Sequence, residues 1–239
     1  MKILIIIIAL ILASLSLGYY KLSRSDVSGM IESTQKTVAI FDFDGVICDS
    51  HPQMVEAFNE IAPYYNVTKL TPESLAFYHN NLSKEYYGVS SWKLPIFVIH
   101  LRQKLKARMS IMPLQPGIKQ LINDLKDKGL IIGILTSNSQ TLVHGFLKRN
   151  DLDKFDFIYT GSGVYDKAEH LKVIKDKLKS NKIFYIGDEV RDVNAANVSN
   201  IKAIGVTWGF QSKGLLESAK PYAIAETPKD LLNILVPKD

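Results

Sequence analysis

From Thr37 onward the chain alternates short apolar runs with segments of helical periodicity, and that alternation narrows the fold more than any other feature. The runs occupy residues 38–43, 130–135, 155–159, 183–186, 203–206 and 222–225. Between them, Ile118, Leu121, Ile122 and Leu125 recur at i, i+3, i+4 and i+7, and Leu171, Ile174 and Leu178 repeat the spacing. Gly129 stands where the first of these helices requires a left-handed cap, directly before the next strand. Strands alternating with helices of this length mean βαβ units joined by right-handed crossovers, and so an α/β, Rossmann-like core around a parallel sheet. The unbroken apolarity of the strands agrees, because a parallel sheet is covered on both faces.

One interval breaks this rhythm. About 85 residues separate the first two runs, far more than one crossover needs, and much of the interval is patterned as helix. Met54, Val55, Phe58 and Ile61 form one apolar stripe, and residues 94–108 form another, surrounded by Lys93, Arg102, Lys104, Lys106 and Arg108. Residues 50–112 are therefore expected to be an inserted α-helical cap, leaving 37–49 and 113–239 as the core. The basic residues of the second stripe read as a solvated face.

The amino terminus sets a further boundary. Eighteen residues from Ile3 to Tyr20 carry no charge, and a membrane-spanning helix needs roughly 17–25. Residues 1–20 are thus expected to be an N-terminal hydrophobic helix that anchors the chain in a membrane. A signal peptide cleaved near Ser16–Gly18, with export of the remainder, is the alternative. Residues 21–36 are polar and aperiodic and read as a tether. The formal net charge is +5; Lys2, Lys21, Arg24 and Lys36 against Asp26 and Glu32 supply two of those units, and the remainder argues against a nucleic-acid partner. The single cysteine, Cys48, excludes a disulfide framework and reads as a packing residue.

In open α/β sheets, ligands bind beyond the carboxyl ends of the strands. Those ends carry Asp42 and Asp44, then Thr136 and Ser137, then a glycine turn at Gly161 to Gly163 leading to Lys167, then Gly187 and Asp188. If the first strand continues through them, Asp42 and Asp44 leave on one face, and Gly45 permits a sharp turn. Two carboxylates so close need a cation or a proton. Magnesium suits them, since it takes one or two carboxylates together with substrate phosphate, and Asp188 offers a further ligand. One aspartate can act as nucleophile in phosphoryl transfer while the other moves the proton. Thr136, Ser137 and Lys167 supply hydroxyls and a positive charge to bind phosphoryl oxygens.

The stretches DFDGVICDS (42–50), LTSNS (135–139), Lys167 and GDEVRDVNAA (187–196) resemble, in order and spacing, the four signature motifs of the haloacid dehalogenase superfamily. GDEVRDVNAAN and AIGVTWGFQS (203–212) are similar to its phosphoglycolate phosphatase-like branch, which carries a helical cap after the first motif. The resemblance spans residues 38 to about 235. It implies that Asp42 is the nucleophile and that Asp44 is the acid/base, with its backbone carbonyl on magnesium. It further implies Thr136 as the hydroxyl of the second motif, Lys167 as the lysine of the third, Asp188 as a metal ligand, and Asp192 as a supporting acid. An acid at position 44 favours phosphate esters over carbon–halogen bonds. Lys167 is followed by Ala168, where the common form has proline.

The expected function is a magnesium-dependent phosphatase for a small phosphorylated metabolite. A phosphomutase of the same superfamily and a non-catalytic phosphate-binding module are the rivals. His51, His79 and His100 read as surface or packing residues, with His51 near the junction of core and cap.

Overall fold

The computed structural model of the chain describes residues 36–80, 88–90, 92–160 and 167–237. The expected N-terminal helix (1–20), the tether as far as residue 35, and the glycine turn at 161–163 lie outside the described residues. Among the described residues no helix is long and apolar enough to cross a membrane.

Strand β1 (Val38–Phe41) leads into helices α1 (His51–Ile61), α2 (Pro72–Asn80) and α3 (Leu94–Arg108). The chain then returns through α4 (Ile118–Asp127) to β2 (Ile131–Leu135), α5 (Gln140–Arg149) and β3 (Phe157–Tyr159). It continues through α6 (Lys167–Leu178), β4 (Ile183–Gly187), α7 (Val190–Val198), β5 (Lys202–Val206), α8 (Lys213–Ser218), β6 (Ala223–Ala225) and α9 (Pro228–Leu235). The six strands form one sheet in the order β3-β2-β1-β4-β5-β6, every pair parallel. All six apolar runs are strands, and each observed strand lies within two residues of its run.

Alternation along the strands divides the core into two layers. Ala39, Phe41, Ile132, Ile134, Ile186 and Ile204 face α4, α5 and α9, meeting Ile118, Leu121, Ile122, Leu125, Val143, Phe146 and Leu231. Val38, Ile40, Ile131, Ile183, Tyr185 and Ala203 face the other way, against Leu171, Ile174, Leu178, Val193, Ala196 and Leu216. Gly129 adopts φ +78° at the end of α4, as the sequence requires. The helical segment between β1 and α4 holds a separate apolar cluster, in which Phe58, Ile61, Ala62, Leu70 and Phe97 are buried. Phe97 is contributed by α3 and meets Phe58 of α1 edge to face at 5.4 Å.

The strand order decides where a ligand can sit. The chain runs outward from β1 through β2 to β3, then crosses to β4 and runs outward the other way. The crevice at such a reversal lies beyond the carboxyl end of the central strands. β1 is flanked by β2 and β4, so residues after these three strands converge there.

Candidate active site

β1 ends at Phe41, two residues short of its apolar run. Asp42 still donates its amide to Ile186 O of β4 at 2.8 Å, and then the chain turns. Gly45, at φ +74°, donates to Cys48 O at 2.8 Å, and its own carbonyl accepts from Gln115 Nε2 at 3.0 Å. Because the strand stops and the chain turns, the two aspartates are held by different partners. Phe43 N donates to Asp42 Oδ1 at 2.8 Å, and Lys167 Nζ lies 2.6 Å from Asp42 Oδ2. Asn138 Nδ2 donates to Asp44 Oδ2 at 2.6 Å, and Ser50 also hydrogen-bonds this carboxyl.

Lys167, the first residue of α6, is buried and places its ammonium between two carboxylates, Asp42 and Asp192, each at 2.6 Å. Asp192 in turn accepts from Glu189 N at 3.1 Å, in the capping box that starts α7. Both oxygens of Asp192 are thus engaged. Asp188, which follows β4, is held by one oxygen only: Phe210 N donates to Oδ2 at 2.8 Å, while Oδ1 is buried with no hydrogen-bond partner. Thr136, after β2, is buried; its amide donates to Tyr159 O at 3.0 Å, and its hydroxyl accepts from Asn138 N at 3.1 Å. Ser137 beside it is half-buried. Glu189 is turned toward Arg191 and pairs with its guanidinium.

Asp42, Asp188 and Asp192 each offer an oxygen within 4.8 Å of the others. One ammonium serves this group, so negative charge remains in a site with little solvent to screen it. Burial pushes the Asp42 carboxyl up to about 7, against the pull of the Lys167 ammonium. Burial, and then Glu189, Asp192 and Asp42, hold Asp188 well above the ordinary carboxylate range. Burial likewise raises Asp44, offset in part by the hydrogen bonds from Ser50 and Asn138. For Lys167, burial acts to lower the pKa, but the Asp192 and Asp42 carboxylates outweigh it and raise it well above the usual value. An orphaned buried oxygen on Asp188 beside a charge-rich Asp42 fits a divalent cation with oxygen ligands. Asp188 is the side chain with an oxygen to spare; Asp42, whose oxygens accept from Phe43 N and Lys167, would share a lone pair with the ion, as Asp192 could only by loosening its hold on Lys167 and on its own helix.

The structure also brings in residues to which the sequence assigned no role. Asn138 lies inside the LTSNS stretch, and the WGFQS stretch wraps the far side of the site. In that loop Trp208 Nε1 donates to Val46 O at 3.1 Å, and buried Gln211 accepts from Val190 N at 2.6 Å. His79 of α2 hydrogen-bonds Phe210 O, and the His51 ring of α1 lies against the Phe210 ring, tilted at 57° with centroids 5.0 Å apart. These two histidines therefore join the helical segment to the loop that holds Asp188.

The comparisons with known proteins point the same way. The phosphoglycolate phosphatase of Synechococcus elongatus is 32% identical over 199 residues, covering 81% of this chain and 94% of that protein. Pyrophosphatase PpaX of Bacillus mycoides is 24% identical over 208 residues, covering 82% of this chain and 95% of that protein. The crystal structure of a predicted phosphatase from Clostridium acetobutylicum shares the fold, with a TM-score of 0.73 and 24% identity over 86% of this chain and all of that one. The model of the haloacid dehalogenase-like hydrolases matches residues 39–206, from the first strand to the end of the fifth, and the chain belongs to that family of enzymes.

Proposed function

We propose that this enzyme is a magnesium-dependent phosphatase that hydrolyses a small phosphomonoester of the phosphoglycolate kind through an aspartyl-phosphate on Asp42. The observation that carries the reading is the separate tethering of two buried carboxyls at one strand end, Asp42 against Lys167 and Asp44 against Asn138. Likeness to a phosphoglycolate phosphatase over most of the chain supports the substrate class.

Asp42 and Asp188, with the Asp44 carbonyl that the family resemblance adds, would hold Mg2+. Bound there, the ion would neutralise buried charge and draw electrons from a phosphoryl oxygen. The Asp42 carboxylate attacks phosphorus, an O–P bond forms, and the ester P–O bond breaks. Asp44, held above the usual carboxylate range, gives its proton to the departing alkoxide. It then takes a proton from water, which attacks phosphorus and breaks the bond to Asp42, releasing inorganic phosphate. Lys167 and Thr136 neutralise and hydrogen-bond the phosphoryl oxygens, where fixed donors act most strongly. Ser137 is placed to contact the same group, and Asp192 fixes the Lys167 ammonium.

In this reading residues 50–112 cap the site, exclude water and select the substrate. Residues 3–20 hold the enzyme at a membrane, with export after cleavage near Ser16–Gly18 as the alternative; the mass of the mature chain separates the two. The test of the central claim is phosphate release by the full chain from a panel including phosphoglycolate and pyrophosphate, with and without magnesium, beside Asp42→Asn and Asp44→Asn. Metal-dependent turnover lost in Asp42→Asn is the expected result. Equal turnover by Asp42→Asn and the parent chain would overturn the assignment of the nucleophile.

A further inference from the structure

Helix α3 is apolar on two sides in its first half. Phe97 is buried, and Leu94, Val98 and Leu101 pack toward the same cluster as Phe58 and Ile61. On the outward side, Ile96 is 60% and Ile99 48% exposed, and Trp92, just ahead of the helix, is 75% exposed. Tyr64, 74% exposed, lies beside them with its ring 5.8 Å from His100. The reading of this helix as a solvated basic face accounts for its charges but not for four large apolar side chains in water.

The segment that carries this patch has charges of one sign. From Trp92 to Ser110 the chain carries five cations, Lys93, Arg102, Lys104, Lys106 and Arg108, and no acid. Glu60 takes up Lys104 and Arg108. Lys93 lies against the Trp92 ring, its ammonium 5.2 Å from the centroid, while Arg102 and Lys106 are exposed further along the same helix. Exposed aliphatic and indole groups ringed by cations match the boundary of an anionic bilayer, where acyl chains receive the first and headgroups the second. A second copy of the chain fits poorly, since a twofold contact would set these cations against their own equivalents. The tether of residues 21–36 can reach roughly 50 Å when extended, more than the roughly 40 Å across a domain of this size. Its end at β1 thus leaves the α3 face free to turn toward a membrane that holds the N-terminal segment.

We propose that the Trp92, Ile96 and Ile99 face of α3, with Lys93, Arg102 and Lys106, docks on an anionic membrane surface. The docking is separate from the hydrolytic reading and uses residues 3–20 only as the attachment that keeps the bilayer near.

The test is the full chain with Ile96→Cys, labelled with an environment-sensitive fluorophore and reconstituted into vesicles. Cys48 is fully buried, and the labelled parent chain serves as the blank. The vesicles are phosphatidylcholine alone and an equimolar mixture with phosphatidylglycerol, each with and without brominated acyl chains. The expected result is a blue shift and bromine quenching in anionic vesicles only, both lost at high salt and in Lys93→Glu/Arg102→Glu/Lys106→Glu. Circular dichroism and turnover equal to the parent confirm that this triple variant, at exposed Arg102 and Lys106 and half-buried Lys93, is folded; should it misfold, the salt arm makes the same discrimination. A label that stays water-like while the chain floats with anionic vesicles overturns the docking and leaves the anchor standing. A shift that follows protein density rather than lipid charge overturns it in favour of a contact between copies. A chain that does not float with either vesicle overturns both docking and anchor.

Discussion

Replacing Gly45 with alanine separates backbone strain from damage to the site. Gly45 adopts φ +74°, and an alanine Cβ there would lie 2.1 Å from Asp188 Oδ2 and 2.7 Å from its Cγ. The turn cannot retreat cheaply, because its amide is bonded to Cys48 O and its carbonyl to Gln115 Nε2. Asp188 must therefore swing away and give up the 2.8 Å bond from Phe210 N. The left-handed conformation costs about 1 kcal/mol, and a lost hydrogen bond to a charged group costs about 1.5–3 kcal/mol. A total of about 2.5–4 kcal/mol corresponds to a fall in Tm of roughly 5–16 °C for a chain of this size. Gly129 is the control, since its φ is +78° but a Cβ there meets nothing within 4 Å. Gly129→Ala should cost only the backbone strain, roughly 2–4 °C in Tm, and leave turnover unchanged. Thermal unfolding followed by circular dichroism, together with magnesium titration, measures both effects. If Gly45→Ala matches Gly129→Ala in Tm and keeps the parent's affinity for magnesium, the close packing of Gly45 on Asp188 does not govern the site.

Four further outcomes follow from the charges and their hydrogen bonds. Lys167→Met leaves Asp42 and Asp192 without their shared ammonium, which should cost about 3–5 kcal/mol of stability. Because the abandoned Asp42 carboxyl is then raised further, its protonated form favours the folded state. The loss should shrink in acid and grow as pH rises, and a pH-independent Tm difference would contradict this. In the metal-free parent, Asp42 is held at about 7, so its contribution to stability is present at low pH and disappears as pH rises through that value. Magnesium needs the ionised carboxylates. Its binding should release protons and tighten from about pH 6 to about pH 8, which calorimetry in two buffers of different protonation enthalpy detects; binding without proton release would count against it. Asn138→Ala removes the 2.6 Å bond to Asp44 and should lower kcat about tenfold to a hundredfold with KM little changed. A KM effect alone would place Asn138 on the substrate rather than on the acid.

The sequence alone determined the layer architecture, because periodicity reports which side of each element is buried. Ile118, Leu121, Ile122 and Leu125 are buried on one face of α4 as their spacing requires, and Gly129 takes its left-handed cap. It also determined that Thr136 and Asp188 stand just past strands, since the apolar runs stop at Leu135 and Ile186, and it placed Asp42 at the carboxyl end of the first run. Periodicity does not say which strand lies beside which. Only the order β2-β1-β4 sets Thr136 and Asp188 on either side of Asp42. Pairings between distant positions were equally out of reach: Lys167 with Asp42, Asn138 with Asp44, Gly45 against Asp188, and His79 with the loop at Phe210. The run through residue 43 suggested two aspartates on one strand face, but β1 stops at Phe41 and the turn at Gly45 gives each its own partner. Local spacing encodes burial, whereas the meeting of side chains far apart in the chain is settled only when the helices and sheet pack.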